Sequence, residues 1–194
     1  MPDAGRVIGG AARGMRLEGP RGGGTRPLTD RVKESLFGAL EAEGALDGPF
    51  LDLFAGTGAG GIEALSRGAS AAIFVEHDGP NCQLIGANLR RAKLDGGRVV
   101  RADVVAYLRN LRKETDGPFA AALLDPPYTN PILVTALELL GDPARDWLVP
   151  GATVAVKHFW RDEPADHVGL LAKERVKRFG ETALSFYSRT EEGA

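Results

Sequence analysis

Apolar and polar positions alternate between two periods along most of the chain. Val32, Leu36, Phe37 and Leu40 recur at helical spacing behind Thr29-Asp30, a pair suited to capping, which predicts a helix over residues 30–43. Leu51-Asp-Leu-Phe54 then reads as a short buried strand, followed by the run Ala55-Gly-Thr-Gly-Ala-Gly-Gly61 and a helix over 62–67 stopped by Gly68. Further on, the pattern predicts a strand at 71–76 and a helix at 80–93 with Leu84, Ala87 and Leu94 facing inward. A strand at 98–101, a helix at 104–112, a strand at 119–124, a helix at 132–140 and a strand at 152–157 follow. Strand and helix in strict alternation mark an α/β fold with a mostly parallel sheet.

The two ends of the chain depart from that alternation. Segments 175–179 and 182–188 flank Gly180-Glu181 as an antiparallel hairpin, a feature that separates Rossmann-like methyltransferase sheets from NAD-binding ones. The first 25 residues carry Gly5, Gly9, Gly10, Gly14, Gly19 and Gly22 to Gly24, with arginines between short apolar pairs. They read as a hairpin or extended arm more than as a packed layer, with a hinge at 22–24. The chain thus divides into an arm, 1–25, and one domain, 26–194, and shows no internal repeat.

Composition narrows the classes. The apolar fraction of 43% is ordinary for a globular protein, and no apolar run approaches the roughly 18 residues that span a bilayer. Without a signal-like start, the expected location is cytoplasmic, with no membrane partner and a monomeric state. Cys82 is the single cysteine, so intrachain disulfides are excluded, and it reads as a small helix residue. The net charge of −2 speaks against nucleic-acid binding by bulk charge. Yet Arg6, Arg13, Arg16, Arg21, Arg26, Arg31 and Lys33 crowd the first 37 residues, and a second basic stretch runs from Arg90 to Lys113. Phosphate contacts need only local positive potential, so RNA and DNA both stay open; the second stretch reads equally as a solvated helix face.

Two strand-end motifs carry the candidate chemistry. The glycine run brings bare backbone close to a ligand, because Cβ atoms there would obstruct it. That pattern is shared by dinucleotide-binding folds, methyl-donor folds and plain tight turns. Its candidate cofactor-binding residues are Asp52, Phe54, Ala55, Gly56 and Gly58, with Glu76 and His77 about twenty residues on and Asp103 and Val104 past the third strand. Glu76 suits the hydroxyls of a ribose and Asp103 an adenine amine. No phosphate-gripping G-x-x-x-x-G-K-[ST] exists, so the set describes an adenosine site.

The second motif, Asp125-Pro126-Pro127-Tyr128, ends the apolar run 119–124. In an open parallel sheet it faces the same crevice as the glycine turn. An exocyclic amine on a purine or pyrimidine is a poor nucleophile, since its lone pair is delocalised. The Asp125 carboxylate and the Pro126 carbonyl can accept its two N–H bonds, the prolines remove competing backbone donors, and Tyr128 can stack an extruded base. The reaction this suits is in-line methyl transfer from S-adenosylmethionine. His77, His158 and His167 lack metal-ligand spacing, so no metal is expected, and no hydrolase arrangement is present.

With these residues in view, the chain resembles the small, single-domain bacterial 16S ribosomal RNA guanine-N2 methyltransferases. The resemblance rests on Arg6-Val-Ile-Gly-Gly-Ala-Ala-Arg-Gly14, Arg26-Pro-Leu-Thr-Asp-Arg-Val-Lys-Glu34, the block from Leu51 to Ala69, and Asp125-Pro-Pro-Tyr128. It covers nearly the whole chain. It implies a class I methyltransferase sheet, S-adenosyl-L-methionine as donor with S-adenosyl-L-homocysteine as product, and the N2 amine of one guanine in 16S RNA, position 966 in the family, as target. It also implies that Thr29 and Arg31 help close over the donor, and that Arg6, Arg13, Arg16 and Arg26 hold RNA, on a partly or fully assembled small subunit. Family members usually carry Thr where this chain has Leu28, and a larger aliphatic residue in place of Gly60. Two alternatives accompany this reading: a DNA adenine or cytosine amino-methyltransferase, and a non-catalytic RNA-binding protein that keeps the fold.

Overall fold

The computed structural model describes residues 3–20, 28–110, 117–127 and 132–191. The chain opens with an antiparallel hairpin, β1 (Asp3–Arg6) and β2 (Arg16–Glu18). Then α1 (Asp30–Ala42), β3 (Pro49–Leu53), α2 (Ala59–Ser66), β4 (Ala71–Glu76), α3 (Gly79–Ala92), β5 (Gly97–Arg101), α4 (Val104–Arg109), β6 (Phe119–Leu124), α5 (Ile132–Gly141) and β7 (Leu148–Phe159) alternate. Strands β8 (His167–Val168), β9 (Leu171–Phe179) and β10 (Thr182–Arg189) complete the sheet. Its order among the described residues is β5-β4-β3-β6-β7-β10-β9-β8. Strands β3 to β7 pair in parallel, and β10, β9 and β8 add antiparallel neighbours.

That order positions the site. From β3 the chain moves outward to β4 and β5, then returns to the other side of β3 for β6 and β7. The direction of winding reverses between β3 and β6, which leaves a crevice beyond their carboxyl ends. Both strands are apolar on both faces, as strands covered twice must be: Phe50, Leu51, Leu53, Ala121, Ala122 and Leu124 have no exposed surface. One core layer, with Phe37, Phe50, Phe74, Leu123 and Phe186, lies under α1, α2 and α3. The other, with Leu53, Leu108, Phe119, Leu137 and Trp147, lies under α4 and α5.

The N-terminal hairpin exists, but it is packed onto the body, which corrects the reading of a loose arm. Ala4, Val7 and Leu17 are buried in the layer under α1 to α3. The buried Glu63 of α2 accepts the backbone N–H groups of Ile8 at 2.9 Å and Gly9 at 2.8 Å. Ser66 Oγ donates to the Gly9 carbonyl and accepts the Ala12 N–H. A Cβ at Gly10 would stand 1.7 Å from the Ser66 carbonyl oxygen, so this approach needs glycine.

Three element readings also change. The inward residues of α3 are Ile85, Asn88 and Leu89, while Leu84 and Ala87 are only partly covered. Helix α4 stops at Arg109 because Asn110 turns extended. Strands β7 and β9 run longer than their apolar stretches, and β8 was not anticipated. The expected hinge at 22–24, Arg26, Arg112, Lys113 and Tyr128 lie outside the described residues. Among the described residues no helix is long and apolar enough to cross a membrane.

Candidate active site

The glycine turn is built from alternating left-handed backbone. Phe54, Gly56 and Gly58 have φ of 63°, 54° and 80°. The two glycines adopt this freely, whereas Phe54 stores strain of about 1–3 kcal/mol, a cost that concentrates at functional sites. Strand β4 holds the turn in place: Ala55 N–H donates to the Val75 carbonyl at 3.1 Å, and Gly56 N–H donates to Glu76 Oε2 at 2.8 Å. Glu76 is buried, and its Oε1 accepts the Asp78 N–H at 2.9 Å and lies 3.1 Å from His77 Nδ1. Three of its four acceptor positions are therefore engaged, which leaves one on Oε2 for an incoming hydroxyl. The exposed His77 can yield another.

Helix α2 starts without a capping side chain, since its N-cap is Gly58. Asp52 supplies the cap from β3, its Oδ2 accepting the Gly61 N–H at 2.7 Å. Burial pushes the Asp52 carboxyl well above the usual carboxylate range; the Gly61 hydrogen bond pulls it back, and the charges of Asp125 and Glu76 push it further. The contact is tight: a Cβ at Gly61 would meet Phe74 Cε1 at 2.3 Å, and one at Gly60 would meet Leu123 Cδ2 at 2.6 Å. Leu123 of β6 thus takes the room that a larger residue at position 60 would need.

Asp125 follows β6, and its N–H reaches back to the Leu53 carbonyl at 3.3 Å. Its Oδ1 accepts from Lys157 Nζ, at the end of the neighbouring β7, at 2.5 Å. Burial raises the Asp125 carboxyl, and the Lys157 ammonium opposes that rise by charge and by hydrogen bond. Asp52, Glu76, Asp125 and Lys157 all border one cavity of about 450 Å³ at the carboxyl ends of β3 and β6. Among the described residues three carboxyl groups and one ammonium border the cavity, so hydrogen-bond acceptors dominate, as suits an amine substrate.

Residues 5–188 match the family described as "Conserved hypothetical protein 95". Ribosomal RNA small subunit methyltransferase D of Escherichia coli K12 is 36% identical over 188 residues, 97% of this chain and 91% of that protein. The chain belongs to this methyltransferase D family. A solved structure, the putative methyltransferase yhhF from Escherichia coli, superimposes with a TM-score of 0.83 at 34% identity, covering 95% of this chain and 97% of that one. An RNA methyltransferase from Salinibacter ruber, solved with S-adenosyl-L-homocysteine, shares the fold at a TM-score of 0.62 and 18% identity, over 86% and 95% of the two chains.

Within this methyltransferase D fold, the structure brings most of the expected residues to the cavity. Asp52, Phe54, Ala55, Gly56, Glu76, His77, Asp125, Pro126 and Pro127 line it. Gly58 lies behind the lining, where it starts α2. Asp103 and Val104 stand outside the lining, and Asp103 caps α4 through the Ala106 N–H at 2.9 Å. Thr29 likewise caps α1 through the Val32 N–H, and the Arg31 guanidinium sits over the Phe179 ring. Arg6 and Arg13 border a separate hollow between the hairpin and α1, where Arg6 pairs with Asp30 at 2.8 Å; Arg16 is exposed on β2. The sequence reading missed Thr57, Ala59, Asn81, Leu123 and Lys157 as lining residues. Lys157 had a usable signal, a charge ending an apolar strand at the same sheet edge as Asp125. His158 is a core residue: it is buried, donates from Nδ1 to the Phe159 carbonyl and accepts from Ser185 Oγ, and burial lowers its pKa.

Proposed function

We propose that the protein transfers a methyl group from S-adenosyl-L-methionine to the N2 amine of a guanine in 16S ribosomal RNA, releasing S-adenosyl-L-homocysteine. The observation that carries this reading is the meeting of Asp125-Pro126-Pro127 with a bare, acid-clamped glycine turn in one cavity at the reversal of strand order. Membership in a family with a named ribosomal RNA small subunit methyltransferase supports the substrate class. A partly or fully assembled small subunit is the proposed form of that substrate, since a chain this small gains base selection from RNA shape.

The residues fit such a donor. The turn backbone and Glu76 suit its nucleoside, and Leu28 and Leu123 give apolar wall. The donor supplies an electrophilic sulfonium methyl group. Asp125 accepts one N–H of the amine, with Lys157 holding Oδ1 and leaving Oδ2 for the substrate. The Pro126 carbonyl accepts the second N–H, so the nitrogen lone pair turns toward the methyl carbon. The N–C bond forms as the C–S bond breaks, the electron pair stays on sulfur, and the surplus amine proton leaves through Asp125 to solvent. Tyr128 is proposed to stack the extruded base.

Calorimetry with S-adenosyl-L-methionine and methyl transfer to small subunits test this together. Asp125→Ala should bind the donor normally and lose about 10²- to 10³-fold in transfer rate, the scale set by removing one preorganised group that stabilises the transition state. Full transfer by Asp125→Ala removes the role given to Asp125. No donor binding by the wild-type protein sinks the enzyme reading in favour of a non-catalytic RNA-binding protein.

A further inference from the structure

Four cations at one corner of the molecule are held by aromatic rings with no carboxylate partner among the described residues, while a fifth, Arg175, lies over the Phe186 ring and pairs with Glu43. Arg178 Cζ lies 3.7 Å and Arg161 Cζ 4.6 Å from the centroid of the Trp160 ring. Arg31 Cζ lies 5.8 Å from the Phe179 ring, and Lys177 Nζ 5.9 Å from the Phe186 ring. All four are exposed, and among the described residues none pairs with a carboxylate. The acids nearby are engaged elsewhere or stand apart: Glu163 binds Lys173, Glu43 binds Arg175, and Asp162 and Glu181 form no ion pair with these cations. Several basic residues elsewhere are neutralised, Arg6 by Asp30, Arg67 by Glu41 and Glu63, and Arg91 by Glu18. A carboxylate cancels a guanidinium's field, whereas a ring fixes its position and leaves the charge available to an outside anion.

The register of the sheet connects this corner to the cavity. Lys157, Leu184 and Lys177 are cross-strand neighbours on β7, β10 and β9, so Lys177 stands about 10 Å from Lys157 at the usual strand spacing. The next row toward the sheet's end is Phe159, Thr182 and Phe179, with Arg31 above it from α1. Lys157, Phe159, Lys177 and Phe179 share the face that bears the cavity, by strand alternation. Trp160, Arg161 and Arg178 lie over the edge from them, the rings of Phe159 and Trp160 being 6.2 Å apart. The cation path therefore begins beside Asp125 and bends around the end of β7, β10 and β9.

We propose that this corner is the docking surface for the single-stranded RNA that flanks the target base. This rests on the RNA reading above and deepens it. The ring-held guanidiniums take phosphates, while Phe159 and the guanidinium planes offer stacking surface to unpaired bases next to the one in the cavity. It adds an RNA contact beyond the N-terminal hairpin, where Arg6 is already paired with Asp30.

The test is binding of protein-free 16S RNA transcript, read over a range of salt, and methylation of both transcript and assembled small subunits, by wild type, Arg161→Ala/Arg178→Ala and Trp160→Ala. Donor affinity and thermal unfolding confirm that each variant is folded. The double variant should lose about tenfold or more in RNA affinity and flatten the slope of log affinity against log salt by about 1.4, two single-strand phosphate contacts. The loss should appear in KM and not in kcat, and Arg161→Lys/Arg178→Lys should restore the salt slope. Unchanged affinity and slope in variants that still methylate overturns the docking surface alone. A defect seen with assembled subunits but absent with transcript gives the corner to a ribosomal protein and also overturns it. A wild-type protein that methylates small subunits yet binds no transcript overturns the docking surface alone, whereas one that methylates neither subunits nor transcript overturns both this inference and the function it rests on.

Discussion

Glu63 decides whether the N-terminal hairpin belongs to the folded body. It has no exposed surface, and its carboxylate accepts Ile8 N–H at 2.9 Å, Gly9 N–H at 2.8 Å and Arg67 Nε at 2.8 Å. Glu63→Ala strands the two backbone donors, at about 1–3 kcal/mol each, or about 2–6 kcal/mol together. Arg67 keeps Glu41 as a partner. The loss has an escape route, because a hairpin that peels away lets water satisfy its own N–H groups. Peeling exposes Val7 and Leu17, worth about 3–6 kcal/mol between them at 1.5–3 kcal/mol per buried side chain. The two figures are comparable, so the variant sits at the edge of undocking while β3 to β10 stay intact. Glu63→Gln should do nearly the same harm, since its amide presents an NH₂ to a site made of donors. Hydrogen exchange read by mass spectrometry should show residues 3–18 losing protection in both variants and the central strands keeping theirs. Full protection of 3–18 in both would show that something other than Glu63 holds the hairpin.

Two further predictions concern ionisation. In Lys157→Met the ammonium that holds the Asp125 carboxyl down is gone and burial acts alone, so the acid limb of kcat/KM should move to higher pH with donor affinity retained; an unmoved limb would refute that role. Asp52 has its folded pKa raised above its ordinary 3.8, mainly by burial, so the folded state binds this proton more tightly than the unfolded one and stability is lost as pH rises from that value toward the folded pKa. Asp52→Asn escapes that loss, and its melting temperature relative to wild type should climb with pH through the window and then level off; a pH-independent difference would contradict the assignment.

The elements that carry the site were the most legible part of the sequence. Strands 71–76 and 119–124 coincide with β4 and β6, because a doubly covered strand is written as an unbroken apolar run. The parallel pairing of β3 with β6 followed from strand-helix alternation, and with it the meeting of glycine turn and Asp125. The inward face of α3 was misread by one position because Asn88, a polar residue, sits at its centre. Its amide donates to the Glu18 and Thr57 carbonyls and accepts the Glu18 N–H, so a polar group is paired inside an otherwise apolar face. The extra length of β7 was hidden by Pro150-Gly151, which reads as a stop but falls where the pairing with β6 shifts register. Asp103 shows the limit of spacing arguments: a strand-end acid is also an N-cap, and its Oδ1 accepts the Ala106 N–H, so spacing alone does not separate a cap from an adenine contact. Ring-held cations are not visible in a sequence at all, since Arg31 and Phe179, or Arg178 and Trp160, meet only once the sheet is formed.

The measurement that bears most directly on the central claim is mass mapping of the transferred methyl group. Small subunits from cells lacking the protein would be treated with purified protein and S-adenosyl-L-methionine carrying a deuterated methyl group, and the 16S RNA digested to nucleosides and fragments. The account requires one labelled N2-methylguanosine at a single position, absent when Asp125→Ala replaces the wild type. Label on another base, label appearing in duplex DNA but not in ribosomal RNA, or no label from a protein that binds the donor would contradict it.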